Sequence, residues 1–547
     1  MPTIDISHQD LNNLVGKNLT LNQLQDDILF AKGEIDETGD TIKVDIKDTN
    51  RPDLWSTEGI AREIKSRYRP GMPEYKTGKS NVVVHVDPKM KNIRPYTTCA
   101  VVRNLKITKH VLEQMIQLQE KVAGTFGRNR KEIAIGVYDL HKIKLPIKFT
   151  TTTPNLKFIP LDFTKELTPK QIIDQHPKGK EYGHLLEGMS AYPLFIDSAG
   201  SVLSMPPIIN SDHTGKVTTS TRDVFIECSG FNLNFLNTAL NVLVAALADR
   251  GGTIETVDVI YGNKKITTPD LTPKKASVDP RYVNKISGLN LKDADITKLL
   301  EKSGYKILNK KIDVLYPAYR QDIMHQIDIV EDILISYGYN KITPEEPRLP
   351  TKGSADRLWN FSRHVTDIMT GAGLQEIMSY ILTSNDHVFT RMNIKPTEIA
   401  EIENPMSSNW SVFRSSLIPG LLEFLSQNTH REFPQKIFEI GDTVEVNMRN
   451  ETRTQNTRRL AVALSDSSFG YQNATEILDF LMSTLGTKYN LVRADHNSLI
   501  PGRSANILVH GKKLGIIGEI HPQVLNNWKL ELPVIIFELN LTELFNK

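Results

Sequence analysis

Only two cysteines, Cys99 and Cys228, occur in 547 residues. A disulfide framework and a multi-cysteine zinc site are thereby excluded. Long apolar runs are missing too. The longest, near Thr238 to Ala248, is too short to span a bilayer. The first residues, MPTIDISHQDLNN, lack a basic stretch followed by an apolar one and do not read as a signal peptide. No charge dominates: 66 Lys and Arg stand against 64 Asp and Glu, a net +2. A chain gripping nucleic acid over its whole surface would be more basic. These absences point to a cytoplasmic protein with neither membrane nor DNA as partner.

Several catalytic signatures are also absent. There is no GxxxxGK[ST] phosphate loop, no HExxH or Cys/His zinc spacing, and no GxSxG nucleophile elbow. Fixed-period repeats and low-complexity tracts are likewise missing.

What is present is ordinary globular material, 39% hydrophobic and 24% charged. The length suggests roughly three to five domains at ~100–200 residues each. Three stretches rich in Pro, Gly, Ser, Thr and Lys punctuate the chain: Arg69–Asn81, Ile266–Ser277 and Ile342–Ser354. They divide it at 1–81, 82–268, 269–342 and 343–547. The first part mixes strands and helices. The second alternates strands such as DVFIECSG with helices such as Asn234 to Asp249. The third reads as small and mostly helical. The last reads as α+β, with strands LAVAL, ANILVHG, KLGIIGEI and VIIFELNL and a hairpin turn at HGKK. Basic clusters at Arg128-Asn129-Arg130-Lys131 and at Lys306, Lys310 and Lys311 are local, as expected of solvated faces.

The segment Tyr319 to Ile342, YRQDIMHQIDIVEDILISYGYNKI, carries the most information. Ile327, Val330, Ile333, Leu334 and Tyr337 recur at helical spacing, so Gln326 to Tyr337 reads as an amphipathic helix. Asp328, Glu331 and Asp332 then stand at i, i+3 and i+4 on one face, with Asp322 one loop upstream. A hard cation with oxygen ligands, most plausibly magnesium, would relieve their repulsion. The alternative is an acidic first turn that complements the helix dipole.

Six stretches resemble the β subunit of phenylalanyl-tRNA synthetases of the archaeal and eukaryotic type. They are NRPDLWSTEGIAREI (Asn50 to Ile64), PPIINSDHTGKVT (Pro206 to Thr218), YRQDIMHQIDIVEDILISYGYN, IENPMSSNWSVFRSSLIPGLL (Ile402 to Leu422), KIFEIGDTV (Lys436 to Val444) and LGIIGEIHPQVL (Leu514 to Leu525). They cover the whole chain in the family's order. The resemblance implies magnesium ligands at Asp322, Asp328, Glu331 and Asp332. It also implies ATP as substrate of a complex of two α and two β subunits that charges tRNA.

The second part resembles the family's editing domain, which hydrolyses mischarged tyrosyl-tRNA. Tyrosine adds one hydroxyl to phenylalanine, and a hydrophobic pocket rejects such an isostere only about 10²-fold. A second, hydrolytic site must read the phenol with a buried polar group, which a ligand without the hydroxyl leaves unpaired. Glu227, central in DVFIECSG, is the candidate reader, with a solvent-facing strand carboxylate as the alternative. Asn210, Ser211 and His213 are candidates to position the ester or its water. Asn210 and Ser211 fit ordinary turn chemistry as well, and His213 an exposed loop histidine.

The last part resembles a class II synthetase domain, built on an antiparallel sheet, that has lost its catalytic motifs. Phosphoryl chemistry needs positive clamps. The strand KIFEIGDTV has no arginine, and LGIIGEIHPQ offers Glu519 and His521 where a cation is wanted. Arg414 is the one candidate, with a structural or tRNA-facing role as its alternative. The expected function is support of phenylalanine attachment by a catalytic α subunit, together with editing. A free-standing deacylase or a non-catalytic scaffold are the alternatives.

Overall fold

The computed structural model describes residues 2–39, 41–152, 155–309, 313–347 and 349–546. Lys310 and Lys311 of the second basic cluster lie outside them, as does residue 348 of the third punctuated stretch. The chain forms two compact units, Met1–Glu345 and Glu346–Lys547.

The first unit begins with a three-stranded antiparallel sheet in the order Thr3–Ile6, Ile42–Ile46, Gly33–Glu37. Ile42, Val44 and Ile46 alternate inward with the pleat and are buried. Helix Thr57–Tyr68 packs against this layer, and Ser56 caps its start by accepting from the Gly59 N–H at 3.0 Å. Gly59 is required there. A Cβ at that position would fall 1.7 Å from the Asp53 carbonyl oxygen.

A ten-stranded mixed sheet follows. Its order is Ile209–Asn210, Val202–Met205, Tyr192–Ile196, Ile147–Thr152, Thr77–Val86, Thr253–Tyr261, Tyr96–Arg103, Val224–Gly230 and Ile133–Asp139, with Lys264–Thr268 paired to Thr253–Tyr261. Two of the punctuated stretches are thus partly strand, because their residues complete ladders at 77–81 and 266–268. Helix Leu233–Asp249 lies on the sheet and is buried almost all round from Thr238 to Leu247. That burial explains the longest apolar run. Among the described residues, no helix is long and apolar enough to cross a membrane.

The third part adds a small sheet to its helices. Three short strands, Lys274–Ser277, Lys306–Ile307 and Asp313–Tyr316, form an antiparallel sheet beside helices Pro280–Ser287, Asp293–Lys302 and Gln326–Tyr337. Val283, Ile296, Leu300, Tyr305, Val314, Ile329 and Ile333 form its core. The strands are two to four residues long and lysine-rich at one edge, so they carry almost no periodic signal.

The second unit is built on a seven-stranded sheet in the order Gln375–Glu376, Gln435–Val446, Thr454–Ser465, Val534–Asn540, Lys512–Ile520, Leu499–Val509, Asn490–Arg493. All pairs are antiparallel except the first. Alternation splits the strand Thr454–Ser465 between two cores. Leu460, Val462 and Leu464 pack with helices Arg357–Gly371 and Tyr471–Thr484. Ala461 and Ala463 pack with Ile418–Gln427 and Pro522–Trp528 on the other face.

Candidate functional site

Every residue of the strand Val224–Gly230 is buried. Glu227 is only 1% exposed, so the solvent-facing alternative does not hold. In register it faces Cys99 on one neighbouring strand and Gly136 on the other. The Tyr138 hydroxyl lies 3.1 Å from its Oε1 and 2.7 Å from the Ser204 hydroxyl. No hydrogen-bond partner reaches its Oε2 among the described residues. Burial pushes the carboxyl up to about 7, against the opposing effects of the Tyr138 hydrogen bond, the Arg94 charge and the nearby Ser229 hydroxyl, which makes no hydrogen bond to Oε2. A buried carboxylate with one bare oxygen is costly unless something completes it.

That carboxylate lines a cavity of about 430 Å³. Met115, Ala123, Ala134, Pro206, Pro207 and Ile208 give it apolar walls, Ser204 and Asn210 add polar groups, and Glu120, Asp162, Lys178 and Lys216 add charged ones. Apolar walls with placed polar groups are the usual make-up of a small-molecule site. Arg130 stands in the lining. It donates to the Ile208 carbonyl at 2.9 Å, the Pro207 carbonyl at 3.2 Å and Glu120 Oε1 at 2.7 Å. Its guanidinium also sits 4.4 Å from the centre of the Tyr182 ring. The first basic cluster is therefore not wholly a solvated face. His176 lines the cavity as well, yet both ring nitrogens bond to backbone, at Leu161 O and Lys178 N.

The four residues proposed for this pocket separate. Glu227 and Asn210 line it. Ser211 is buried outside the lining, capping the short helix Asp212–Gly215 by accepting from the Thr214 N–H at 3.3 Å. His213 is exposed and outside the lining. Tyr138, Ser204, Arg94 and Arg130 were not singled out by sequence for this site. Each is distant in the chain from its partner, and only the basic cluster around Arg130 gave any signal.

Outside the cavity lining, Arg94 is buried and donates to the Ser229 carbonyl at 2.6 Å and its hydroxyl at 3.2 Å. Burial pulls this guanidinium down to about 10, partly offset by Glu227.

The acidic segment is arranged differently from the expectation. Helix Gln326–Tyr337 has the bounds its periodicity predicts. The four carboxylates do not converge, however. Arg320 donates to Asp332 Oδ2 at 2.7 Å and forks onto Asp322, where its Nε lies 3.1 Å from Oδ1. Asp332 also accepts from the Tyr305 hydroxyl at 2.6 Å. Burial raises the Asp322 carboxyl, but the Arg320 and Arg51 charges outweigh it and hold the group well below the usual range. Asp328 accepts from the Met324 and His325 N–H groups at 2.8 and 2.7 Å, so it serves the helix N-terminus. Glu331 pairs with Lys32 at 3.4 Å. Among the described residues, no group of three or more His, Cys, Asp or Glu is placed to hold a metal ion. As arranged, these residues do not fit magnesium, because Arg320 already fills the place of the cation between the two buried ones.

The same cluster joins the two most informative sequence stretches. Arg51 is buried, forks onto Asp53 at 2.9 and 2.8 Å, reaches Glu63 at 2.9 Å and lies 3.8 Å from Asp322. Gln321 donates to the Asn50 carbonyl at 3.3 Å, and the Arg62 guanidinium sits 4.5 Å from the Tyr319 ring centre. Charged residues survive burial when paired in this way.

In the second unit, Arg414 is buried. It donates to Glu439 Oε1 at 2.7 Å, the Ser379 hydroxyl at 2.9 Å and the Asp442 carbonyl at 2.9 Å. The structural alternative for this arginine describes its surroundings. Glu519 accepts from Arg503 at 2.6 Å and from the Tyr471 N–H at 3.1 Å.

Family models place the chain among aminoacyl-tRNA synthetase subunits. "Phenylalanyl tRNA synthetase beta chain CLM domain" matches residues 342–541, "tRNA synthetase B5 domain" residues 276–339, and "B3/4 domain" residues 95–242. The chain is 50% identical over 554 residues to the phenylalanine–tRNA ligase beta subunit of Pyrococcus abyssi, covering 100% of both. It is 49% identical over 555 residues to that of Pyrococcus furiosus, again covering 100% of both. It is 37% identical over 550 residues to that of Korarchaeum cryptofilum, covering 99% of this chain and 98% of the relative. A crystallised N-terminal fragment of the phenylalanyl-tRNA synthetase beta subunit from Pyrococcus horikoshii matches with a TM-score of 0.60 at 50% identity, covering 62% of this chain and 100% of the fragment. The chain belongs to the phenylalanine–tRNA ligase beta subunit family.

Proposed function

We propose that this chain is the β subunit of a cytoplasmic synthetase of two α and two β subunits that joins phenylalanine to its tRNA at the expense of ATP. In this reading the second unit, with a boundary near residue 343, is a class II-like scaffold without catalysis of its own, and the α subunit carries the aminoacylation site. Exposed apolar side chains of that unit support a partner-bound chain. Met378 is 95% exposed and Tyr380 77%, with Tyr380 edge-on to Trp410 at 5.1 Å between ring centres. A free-standing deacylase would have no use for such a surface.

Residues 82–268 act as the editing domain, and the Glu227 cavity hydrolyses tyrosyl-tRNA. The observation that carries this is the bare Oε2 of a buried Glu227 in an apolar-walled cavity. A tyrosyl phenol entering the cavity donates to that oxygen. A phenylalanyl ring leaves it unpaired, and the difference is one charge-assisted hydrogen bond. Asn210 faces the same space and is placed to orient the ester. Ser211 and His213 stand outside the lining.

Magnesium enters this proposal with ATP at the complex. The acidic quartet of residues 269–342, with Arg320 between Asp322 and Asp332, serves as an ionic joint instead. The test of the editing reading is Glu227→Ala in the assembled synthetase. Hydrolysis of tyrosyl-tRNA should fall roughly tenfold to a hundredfold, the kinetic equivalent of ~1.5–3 kcal/mol, while phenylalanine charging stays near normal. Unchanged tyrosyl-tRNA hydrolysis removes Glu227 from the site.

A further inference from the structure

We infer that Tyr138 is a positioning residue that selects which oxygen of Glu227 the substrate meets, an inference that rests on the editing reading above. Glu227 Oε1 is taken by the Tyr138 hydroxyl at 3.1 Å, whereas Oε2 is buried with no partner. The carboxylate therefore presents one occupied and one open acceptor. Tyr138 has a single hydroxyl proton. It lies within reach of two acceptors, the Ser204 hydroxyl at 2.7 Å and Glu227 Oε1 at 3.1 Å, and an ionised carboxylate is the stronger of the two. Three side chains from three strands thus meet at the Tyr138 hydroxyl, which donates toward Ser204 or Glu227.

The backbone leaves room for this arrangement. Gly136 precedes Tyr138 by two residues and faces Glu227 in register. A Cβ there would stand 2.1 Å from the Tyr138 hydroxyl and 2.7 Å from Glu227 Oε1. The packing also pins the ring of Tyr138, which is fully buried and lies 5.8 Å from Phe225 between centres. A rigid phenol donor on one oxygen fixes the carboxylate plane, and the other oxygen then faces the donor that arrives with the substrate. The site holds its own phenol beside the place meant for a second. Preorganisation of this kind separates a reading group from a merely polar wall.

The experiment compares deacylation of tyrosyl-tRNA and phenylalanyl-tRNA by the assembled synthetase carrying Tyr138→Phe, Ser204→Ala or Glu227→Ala. Tyr138→Phe keeps the ring and removes only the donor. The ratio of tyrosyl- to phenylalanyl-tRNA hydrolysis should fall about five- to tenfold, less than in Glu227→Ala because the acceptor remains and only its orientation is lost, and the change should sit in KM. Ser204→Ala should leave the ratio at or slightly above the wild-type value, since Tyr138 then donates to Glu227 alone. Equal loss on both esters would mark a structural role and overturn the inference. So would an unchanged ratio in Tyr138→Phe where Glu227→Ala lowers it. If Glu227→Ala itself leaves the ratio unchanged, the editing reading falls, and the inference falls with it.

Discussion

Gly136 faces Glu227 across neighbouring strands so closely that a Cβ at residue 136 would lie 2.7 Å from the carboxylate Oε1. The glycine is space set aside for a buried polar pair, which a chain needing only a core would have filled. Gly136→Ala should therefore displace Tyr138 and Glu227 together. Overpacking of this size costs ~1–3 kcal/mol. The expected outcome is a folded protein with lowered Tm and impaired tyrosyl-tRNA deacylation. Normal deacylation in this variant would mean that the pair can move without consequence.

Glu227 also makes stability depend on pH. Its carboxyl titrates near 4.5 in a free chain and is pushed by burial to about 7 in the fold. The folded state holds the extra proton between those values. The associated stability is full below about 4.5 and is lost as pH rises through 7. The groups around the carboxylate are Tyr138, Arg94, Cys99 and Cys228, and only Arg94 carries charge near neutrality. Glu227→Gln stays neutral throughout. Its Tm relative to wild type should rise from pH 5 and level off above about pH 7. A constant difference across that range would show that the carboxyl does not change its protonation there.

The Arg320 joint gives a third expectation. Replacing it with Met strands Asp322 and Asp332 in the interior, and losing one partner of a buried pair costs ~3–5 kcal/mol. Thermal unfolding of the full chain should shift down accordingly. Wild-type Tm should be indifferent to magnesium at millimolar levels, because the guanidinium already neutralises the two buried carboxylates. A magnesium-dependent rise that disappears in the double variant Asp328→Ala, Glu331→Ala would restore the metal reading.

The sequence made some of this visible and hid the rest for identifiable reasons. Helix Gln326–Tyr337 was legible to the residue because five apolar positions keep one phase. The strand Val224–Gly230 was legible as an apolar run, and a single carboxylate inside it marked Glu227. Tyr138 was not legible as its partner, since 89 residues separate them and only sheet register brings them together. The acidic quartet was read through i, i+3, i+4 spacing, which fixes a helix face but not what lies opposite. Arg320 stands two residues before Asp322 in the same motif, and its reach to Asp332 depends on a loop that periodicity does not describe. Helix Tyr471–Thr484 has a start that the sequence marks poorly. Its N-cap is Gly470, whose N–H is met by the Asn473 side chain, a start with no capping side chain of its own.

The last expectation concerns catalysis by the second unit. Adenylate formation needs arginines free to meet phosphate charge, and such preorganised donors are worth ~10²–10³ in rate each. Three arginines on or beside this sheet are already engaged. Arg414 is bound to Glu439 at 2.7 Å, and Arg503 to Glu519 at 2.6 Å. Arg459, one strand over from the arginine-free Gln435–Val446, reaches Glu538 at 3.3 Å and pairs with Glu445. Each guanidinium would have to leave a carboxylate before it could hold a phosphate, and the carboxylate would remain to repel it. The purified chain should accordingly show no phenylalanine-dependent ATP–pyrophosphate exchange. Adding the α subunit should bring exchange to full rate with no change to this chain. Exchange by this chain alone, with mass spectrometry finding no α subunit, would place a working active site within Glu346–Lys547 and overturn the scaffold reading.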